Sequence, residues 1–330
     1  MPRYFTFLFV AFIYVSIAAA QEYILEGQVL EVKSSQPIVG ANVFYDGTSI
    51  GTITDFDGKF RLVAREKMTS PLIIRFLGYR TVVYEDYKKS FLTFYMEEEA
   101  TQLQEVVLQP DTWSRARKMK VFKREFLGVS NKKCSILNEN VIRLYYKKSN
   151  RTLYGYAEKP IQIFNEKLGY LLSYYLNDFE VEFYNSSSSA QNVKKVFYAG
   201  SSRFKEVDSV TEKMRKQRKK VYFGSTLHVF RSLYRGKLRE EGYQLFIKNR
   251  IIPLDSAFTT KRESGLLEVH QQHEKIGILF DKKSQSLFQL LKNPFYVDPY
   301  GNYTPVDAIW FSGEMGLRRI GELLPLNFDM

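Results

Sequence analysis

Between Tyr23 and Met96 apolar side chains recur at every second position, in short runs separated by turn residues. Period two is the repeat of a half-buried strand, so this stretch has to fold as a sheet with one covered face rather than as helices. Tyr23, Leu25, Gly27 and Val29 mark a first strand; Ala41, Val43 and Tyr45 a second; Gly51 to Thr54 a short third. Phe60 and Leu62 mark the fourth, Leu72, Ile74 and Phe76 the fifth, Thr81 and Val83 the sixth, and Leu92, Phe94 and Met96 the last. Seven short strands in so little chain call for two stacked sheets. Turn chemistry agrees, with Asp46-Gly47 and Asp55-Phe56-Asp57-Gly58 supplying Asp for local backbone bonds and Gly for positive φ. The inward set Leu25, Val29, Val43, Phe60, Leu62, Leu72, Ile74, Phe76, Leu92 and Phe94 is expected to fill one inter-sheet core without metal.

The rest of the 330 residues is also β-favouring: aromatics make up 15%, with 26 Phe and 23 Tyr. Charge separates two regions. Residues 21–110 hold 9 Lys and Arg against 13 Asp and Glu, a net −4, whereas residues 111–330 hold 38 against 23, a net +15. The expected organisation is a signal segment over 1–20, an acidic sandwich over 21–110 and a basic α+β region over 111–330. The signal reading rests on Arg3, the apolar block Tyr4 to Ala19, and Ala18-Ala19-Ala20 before Gln21-Glu22, an A-x-A cleavage pattern. Export from the cytoplasm follows. No later segment has the apolar length of a membrane span, and Cys134, the single cysteine, precludes an internal disulfide and reads as a small core residue.

The run GQVLEVKSSQPIVGANVFYDGTSIGTITDFDGKFRLV from Gly27 to Val63, then LIIRFLGYRT from Leu72 and LQEVVL from Leu103, resembles the carboxypeptidase-like regulatory domain of Bacteroidetes envelope proteins. The G-x-V opening, the P-x-x-G-A-x-V second strand and the G-x-x-T-D-x-D-G-x-F hairpin occur in order as Gly27–Val29, Pro37–Val43 and Gly51–Phe60. The resemblance implies a seven-stranded transthyretin-like sandwich, an accessory fold that carries no catalytic residues, in an exported protein of the periplasm or outer membrane of a Gram-negative bacterium. The later blocks FLGVSNKKCSILNEN from Phe126, PIQIFNEKLGYLLSYYLNDFE from Pro160, GSTLHVFRSL from Gly224 and RRIGELLPLNF from Arg318 resemble the uncharacterised extension that accompanies such domains.

Catalytic constellations are missing from the sequence. A zinc site needs imidazoles converging on one point, yet the three histidines are His228, inside a helical pattern, and His270 and His273, whose odd spacing puts them on opposite faces of a strand. Asp55, Asp57 and Gly58 lack the distal Glu of a calcium loop. Phosphate-binding glycine loops and a G-x-S-x-G elbow are absent as well. No catalytic, cofactor-binding or metal-ligating residue is therefore assigned, and no cofactor is expected.

In the basic region TWSRARKMKVFKREFLG predicts a helix with Thr112 as cap, an apolar stripe including Trp113, Met119, Phe122 and Phe126, its Arg and Lys in water, and Gly128 at its end. Strands are expected over 141–146, 152–157, 161–165, 170–176, 181–184 and 193–199, forming a mainly antiparallel sheet. A helical stretch over 209–241 follows, broken at Gly224, restarted by Ser225 and ended by Gly242. Further strands fall over 243–247, 266–270, 276–280 and 287–291. Tyr170, Tyr174 and Tyr175 read as core or cross-strand pairs, with a sugar-stacking platform as the functional alternative.

The densest charge is KMRKQRKK, where Lys213, Arg215, Lys216, Arg218, Lys219 and Lys220 surround one helix. Nucleic acid is excluded by export, which leaves a solvated helix or a surface for an envelope protein, an anionic glycan or lipopolysaccharide. The expected function is a non-catalytic envelope protein with the sandwich as interaction module and the basic region as docking body. The alternatives are a glycan-binding accessory of an outer-membrane nutrient-uptake system and an unrecognised hydrolase in the basic region. Secreted protein is expected to start at Gln21. Mass spectrometry of the mature N-terminus checks this, and retention of residues 1–20 would overturn it.

Overall fold

The computed structural model describes residues 22–65, 67–86, 91–99 and 111–329. The expected signal segment, the expected boundary near Pro110 and the LQEVVL block lie outside the described residues. All seven N-terminal strands form: β1 (Tyr23–Glu31), β2 (Asn42–Tyr45), β3 (Gly51–Ile53), β4 (Lys59–Ala64), β5 (Leu72–Arg75), β6 (Val82–Tyr84) and β7 (Phe91–Met96). They make one sheet in the order β4-β1-β7, with β1 and β7 parallel, and another in the order β3-β2-β5-β6. Between them lies a buried core that holds nine of the ten expected side chains; Phe76, just past the end of β5, is only half-buried against it. Gly27 sits between its two partners in the β4-β1-β7 sheet with no room for a side chain, since a Cβ there would fall 2.2 Å from the Leu92 carbonyl and 2.6 Å from the Phe60 ring. The sixth strand corrects the expected parity. Val82 and Tyr84, not Thr81 and Val83, pack on the core, because they pair with the inward-facing Ile74 and Leu72, and Val83 is left 58% exposed.

Residues 111–329 contain two further cores. The first lies under α1 (Arg115–Leu127), which packs Met119, Phe122 and Phe126 on a sheet of β8 (Cys134–Ile136), β9 (Ile142–Lys147), β10 (Thr152–Ala157), β11 (Ile161–Asn165), β12 (Tyr170–Phe183) and β13 (Val193–Glu206). Ser114, not Thr112, caps α1, its hydroxyl accepting from the Arg117 N–H. Not all of the helix's cations face water: Lys118 pairs with Asp111, and the Arg117 guanidinium lies 4.0 Å over the Trp113 ring. The strands expected over 170–176 and 181–184 are one strand, β12, kept continuous across its polar middle by a bulge between Leu176 and Asp178. Along one edge β12 pairs with β11 and then β10, and along the other with the whole of β13.

Two helices follow, α2 (Glu212–Tyr222) and α3 (Thr226–Arg235), separated at Gly224, whose φ of 71° no side chain would relax into beside the Phe280 ring. Gly236 in the left-handed conformation ends α3, six residues earlier than the expected stop at Gly242. The last core lies between α3 and two antiparallel sheets. One is β15 (Arg250–Ile252), β14 (Tyr243–Ile247), β18 (Lys275–Phe280), β19 (Ser284–Leu290) and β22 (Ile309–Gly313), in that order. The other is β16 (Phe258–Glu263), β17 (Leu266–Gln271), β20 (Phe295–Val297) and β21 (Tyr303–Thr304). The whole is β-rich α+β, an N-terminal sandwich followed by mainly antiparallel sheets.

The sandwich is fastened to the second region by its β2–β3 turn. Gly47 N–H donates to Ser202 O at 2.8 Å, Phe204 N–H to Thr48 O at 2.9 Å, and Leu326 N–H to Gly47 O at 2.7 Å. Phe44 stacks on Tyr175 at 5.5 Å, while Tyr300 enters the sandwich core and donates its hydroxyl to Lys67 O at 2.9 Å. Asp46 accepts the Ser202 N–H at 2.6 Å, and burial pushes its carboxyl up to about 6 despite that bond and nearby Arg75. A carboxyl raised in the folded state adds stability that is full below its ordinary value near 3.8 and lost as pH rises through about 6. His228, buried and lowered to about 4, contributes the opposite slope over the same range. The Asp46 part is therefore read by difference. The melting temperature of Asp46→Asn, which keeps the acceptor oxygen, should gain on wild type as pH rises from about 4 to 7; a pH-independent gap would remove the assignment.

Candidate anion-binding surface

Helix α2 begins where the Thr211 hydroxyl accepts from the Met214 N–H at 3.2 Å, with Glu212 in its first turn and Lys219 and Lys220 in its last, the polarity its dipole favours. Val221 and Tyr222 are buried, and Met214 is half-buried. Arg218 lies on this inner face at 5% exposure. Its guanidinium covers the Tyr170 ring at 3.9 Å, donates to Leu168 O at 2.7 Å and Gly169 O at 3.2 Å, and pairs with Glu206. This corrects the reading of six docking cations. Arg218 bolts the helix to the start of β12 and the end of β13, because a guanidinium can satisfy several fixed acceptors at once while stacking on a ring. Lys213, Arg215, Lys216, Lys219 and Lys220 are exposed, Arg215 reaching Glu212 at 3.4 Å.

A groove of about 600 Å³ runs beside the N-terminal half of α2, between Lys213 and Gln217 on the helix and Ser130, Lys132 and Lys133 opposite. Lys167 and Glu322 close one end, paired at 2.7 Å, with the Ser130 hydroxyl donating to the same carboxylate at 2.8 Å. Burial works against ionisation of Glu322, and these two hydrogen bonds outweigh it and hold the carboxyl below its ordinary value. Lys133 reaches Glu166 only at 3.9 Å. Among the described residues Lys132 and Lys213 pair with no carboxylate, so the groove keeps uncompensated positive charge where it meets the exposed face of α2. The groove comes from four separate stretches of chain, so no local pattern announces it.

The other candidates fall into structural roles. Tyr170 and Tyr174 are each 5% exposed in the core, and Tyr175 lies beneath Phe44 and Arg75, so the three form no platform. Burial pushes the Cys134 thiol up to about 11, away from nucleophile chemistry. His270 is on β17 and bonds to Glu268 at 2.8 Å, while His273 lies in the turn beyond the strand; among the described residues no group of three His, Cys, Asp or Glu side chains is placed to hold a metal. The Asp55 carboxylate accepts the N–H groups of Asp57 and Lys59 at 3.0 and 2.8 Å, which closes the hairpin. His228 accepts from the Tyr243 hydroxyl at 2.7 Å and shares Glu241 with Ser232. Serine and imidazole both address the carboxylate rather than each other, so the trio makes a buried packing network and not a nucleophile relay.

Comparison with known proteins locates the first of these units. Residues 25–108 match the model of the CarboxypepD_reg-like domain. This segment is a CarboxypepD_reg-like domain. TonB-dependent receptor SusC of Bacteroides thetaiotaomicron is 38% identical over 73 residues, a match that spans 22% of this chain and 7% of that protein. A solved structure of a protein of unknown function from Bacteroides fragilis aligns over 83% of this chain and 92% of its own, at 10% identity and a TM-score of 0.19, which establishes no common fold. The domain is of a regulatory, non-catalytic kind.

The two roles within α2 are separable by mutation. Arg218→Ala leaves Glu206 and two carbonyls without their donor and should cost ~1–3 kcal/mol in urea unfolding, whereas Lys216→Ala should stay within ~0.5 kcal/mol. Equal costs would mean that Arg218 is no more structural than its neighbours.

Proposed function

We propose that the chain is a non-catalytic cell-envelope protein that docks on an anionic surface through α2 and the adjoining groove. The observation that carries this reading is the division of labour in α2: one cation is used to anchor the helix, and five remain exposed beside a groove that adds Lys132 and Lys133. An isolated solvated helix needs no such excess of one sign, which is costly through self-repulsion and useful for attraction to phosphate or carboxylate surfaces. Among the described residues no helix is long and apolar enough to cross a membrane, so attachment would be peripheral. In this reading the domain organisation is a leader over 1–20, the sandwich over 21–110 and the basic body over 111–330. The sandwich turns its β2–β3 turn to the basic body and leaves the outer face of β4-β1-β7, with Ile24, Val63, Phe91 and Tyr95 exposed, for a protein partner.

A second reading, an accessory of an outer-membrane nutrient-uptake system, is favoured by the similarity of the sandwich to part of a TonB-dependent receptor. The same outer sheet face would serve there as the contact.

Co-sedimentation with phosphatidylglycerol vesicles, phosphatidylcholine vesicles and purified lipopolysaccharide tests the docking reading. Wild type should pellet with the anionic partners and release by about 0.5 M salt, where the Debye length is roughly 4 Å. The variant with Lys213, Arg215, Lys216, Lys219 and Lys220 all changed to Gln should stay in solution at low salt. Salt-insensitive, equal behaviour of the two proteins would reduce α2 to a solvated face.

A further inference from the structure

On the outer face of the β9-β10-β12-β13 sheet Tyr145 and Tyr154 stand opposite each other on neighbouring strands. Their rings stack at 5.1 Å with planes 16° apart, so Tyr145 covers one face of Tyr154. The other face looks toward β12, where register places Glu180 opposite Tyr154 and Glu182 opposite Thr152, with Lys195 of β13 next across. These groups and Asn150 line a hollow of about 230 Å³. That is on the order of eight water volumes, room for one ring-sized ligand rather than a peptide or a cofactor.

The hollow's groups are already arranged. Asn150 donates to the Tyr154 hydroxyl at 2.6 Å, which steadies the ring; Lys194 pairs with Glu182 at 2.6 Å; and Lys195 is held over the Trp310 ring at 5.3 Å. Glu180 is exposed and makes no ion pair among the described residues. One aromatic wall, two carboxylates as strong acceptors, and an ammonium, an amide and a hydroxyl as donors ask for a ligand with an apolar C–H face and a rim of hydroxyls. Two carboxylates against Lys195 and the engaged Lys194 disfavour an anion, and two acids without a third ligand do not make a cation site. We propose that this hollow binds a neutral saccharide ring, stacked on Tyr154 and hydrogen-bonded through its hydroxyls to Glu180 and Glu182.

The proposal is independent of the α2 surface, and its test keeps the two apart. Full-length protein is titrated calorimetrically with neutral hexaoses of β-1,4-linked glucose, mannose and N-acetylglucosamine, and with an oligogalacturonate. At least one neutral hexaose should bind with a sub-millimolar Kd, weakened about tenfold by Tyr154→Ala and severalfold by Glu180→Gln. The five-glutamine α2 variant should bind it as wild type does. Glu180→Gln changes an exposed side chain, so it reports even if Tyr154→Ala fails to fold. Silence of all three neutral hexaoses up to about 10 mM, equal binding by wild type and both site variants, or tighter binding of the oligogalacturonate would each overturn the assignment.

Discussion

The pairing of β12 with β13 is the constraint on which the rest of the molecule depends. Two fourteen-residue strands paired along their length, with register shifts only at Leu176/Asp178 and Glu182/Phe183, give a ribbon long enough to meet different neighbours. Its inner face carries Leu172, Tyr174, Phe179, Val181 and Phe204 into the core under α1, while its outer face sets Glu180, Glu182 and Lys195 beside Tyr154. Near Gly200 and Ser202 it meets the sandwich, and its ends receive Arg218. A side chain added at Gly200 would lie 2.2 Å from the Tyr175 carbonyl, so the close approach of the two strands there is itself written into one residue.

Fastening of the sandwich to this ribbon uses backbone groups more than side chains. The β2–β3 turn extends the edge of β13 through bonds from Gly47 and Phe204, the arrangement by which an unpaired strand edge is satisfied by another chain segment. Leu326 and Asn327 from the C-terminal segment bind the same turn, and Tyr300 fills a place in the sandwich core. The acidic domain therefore sits on the basic body as a fixed part of it. Asp46 is the polar cost of that junction: its carboxylate caps a strand amide in a place where its charge is poorly solvated.

Legibility varied with the range of the interaction that decided each feature. The seven sandwich strands could be read locally: β1, β4 and β7 alternate between a buried and a wet side, β2 and β5 are short apolar runs buried on both faces, and the turn glycines mark where positive φ is needed. The parity of β6 was not legible, since a three-residue edge strand takes its orientation from its neighbour and not from its own pattern. β12 looked like two strands because its middle is polar, and only the pairing of both edges shows that the backbone runs through. In α2 every Lys and Arg looks alike in sequence. Which one is buried depended on Tyr170 and the Leu168 and Gly169 carbonyls, some fifty residues earlier, arriving beneath the helix.

By itself the sequence determined the secondary-structure periods, the identity of the regulatory-like domain, and the excess of positive charge after residue 110, because these are local or additive properties. Tertiary structure alone decided which tyrosines line a hollow and which are core, which arginine is a bolt, and where the groove and the hollow beside Tyr154 lie. Each of those depends on strands and helices brought together from distant parts of the chain, and a contact across such distances leaves no mark in the pattern of either partner.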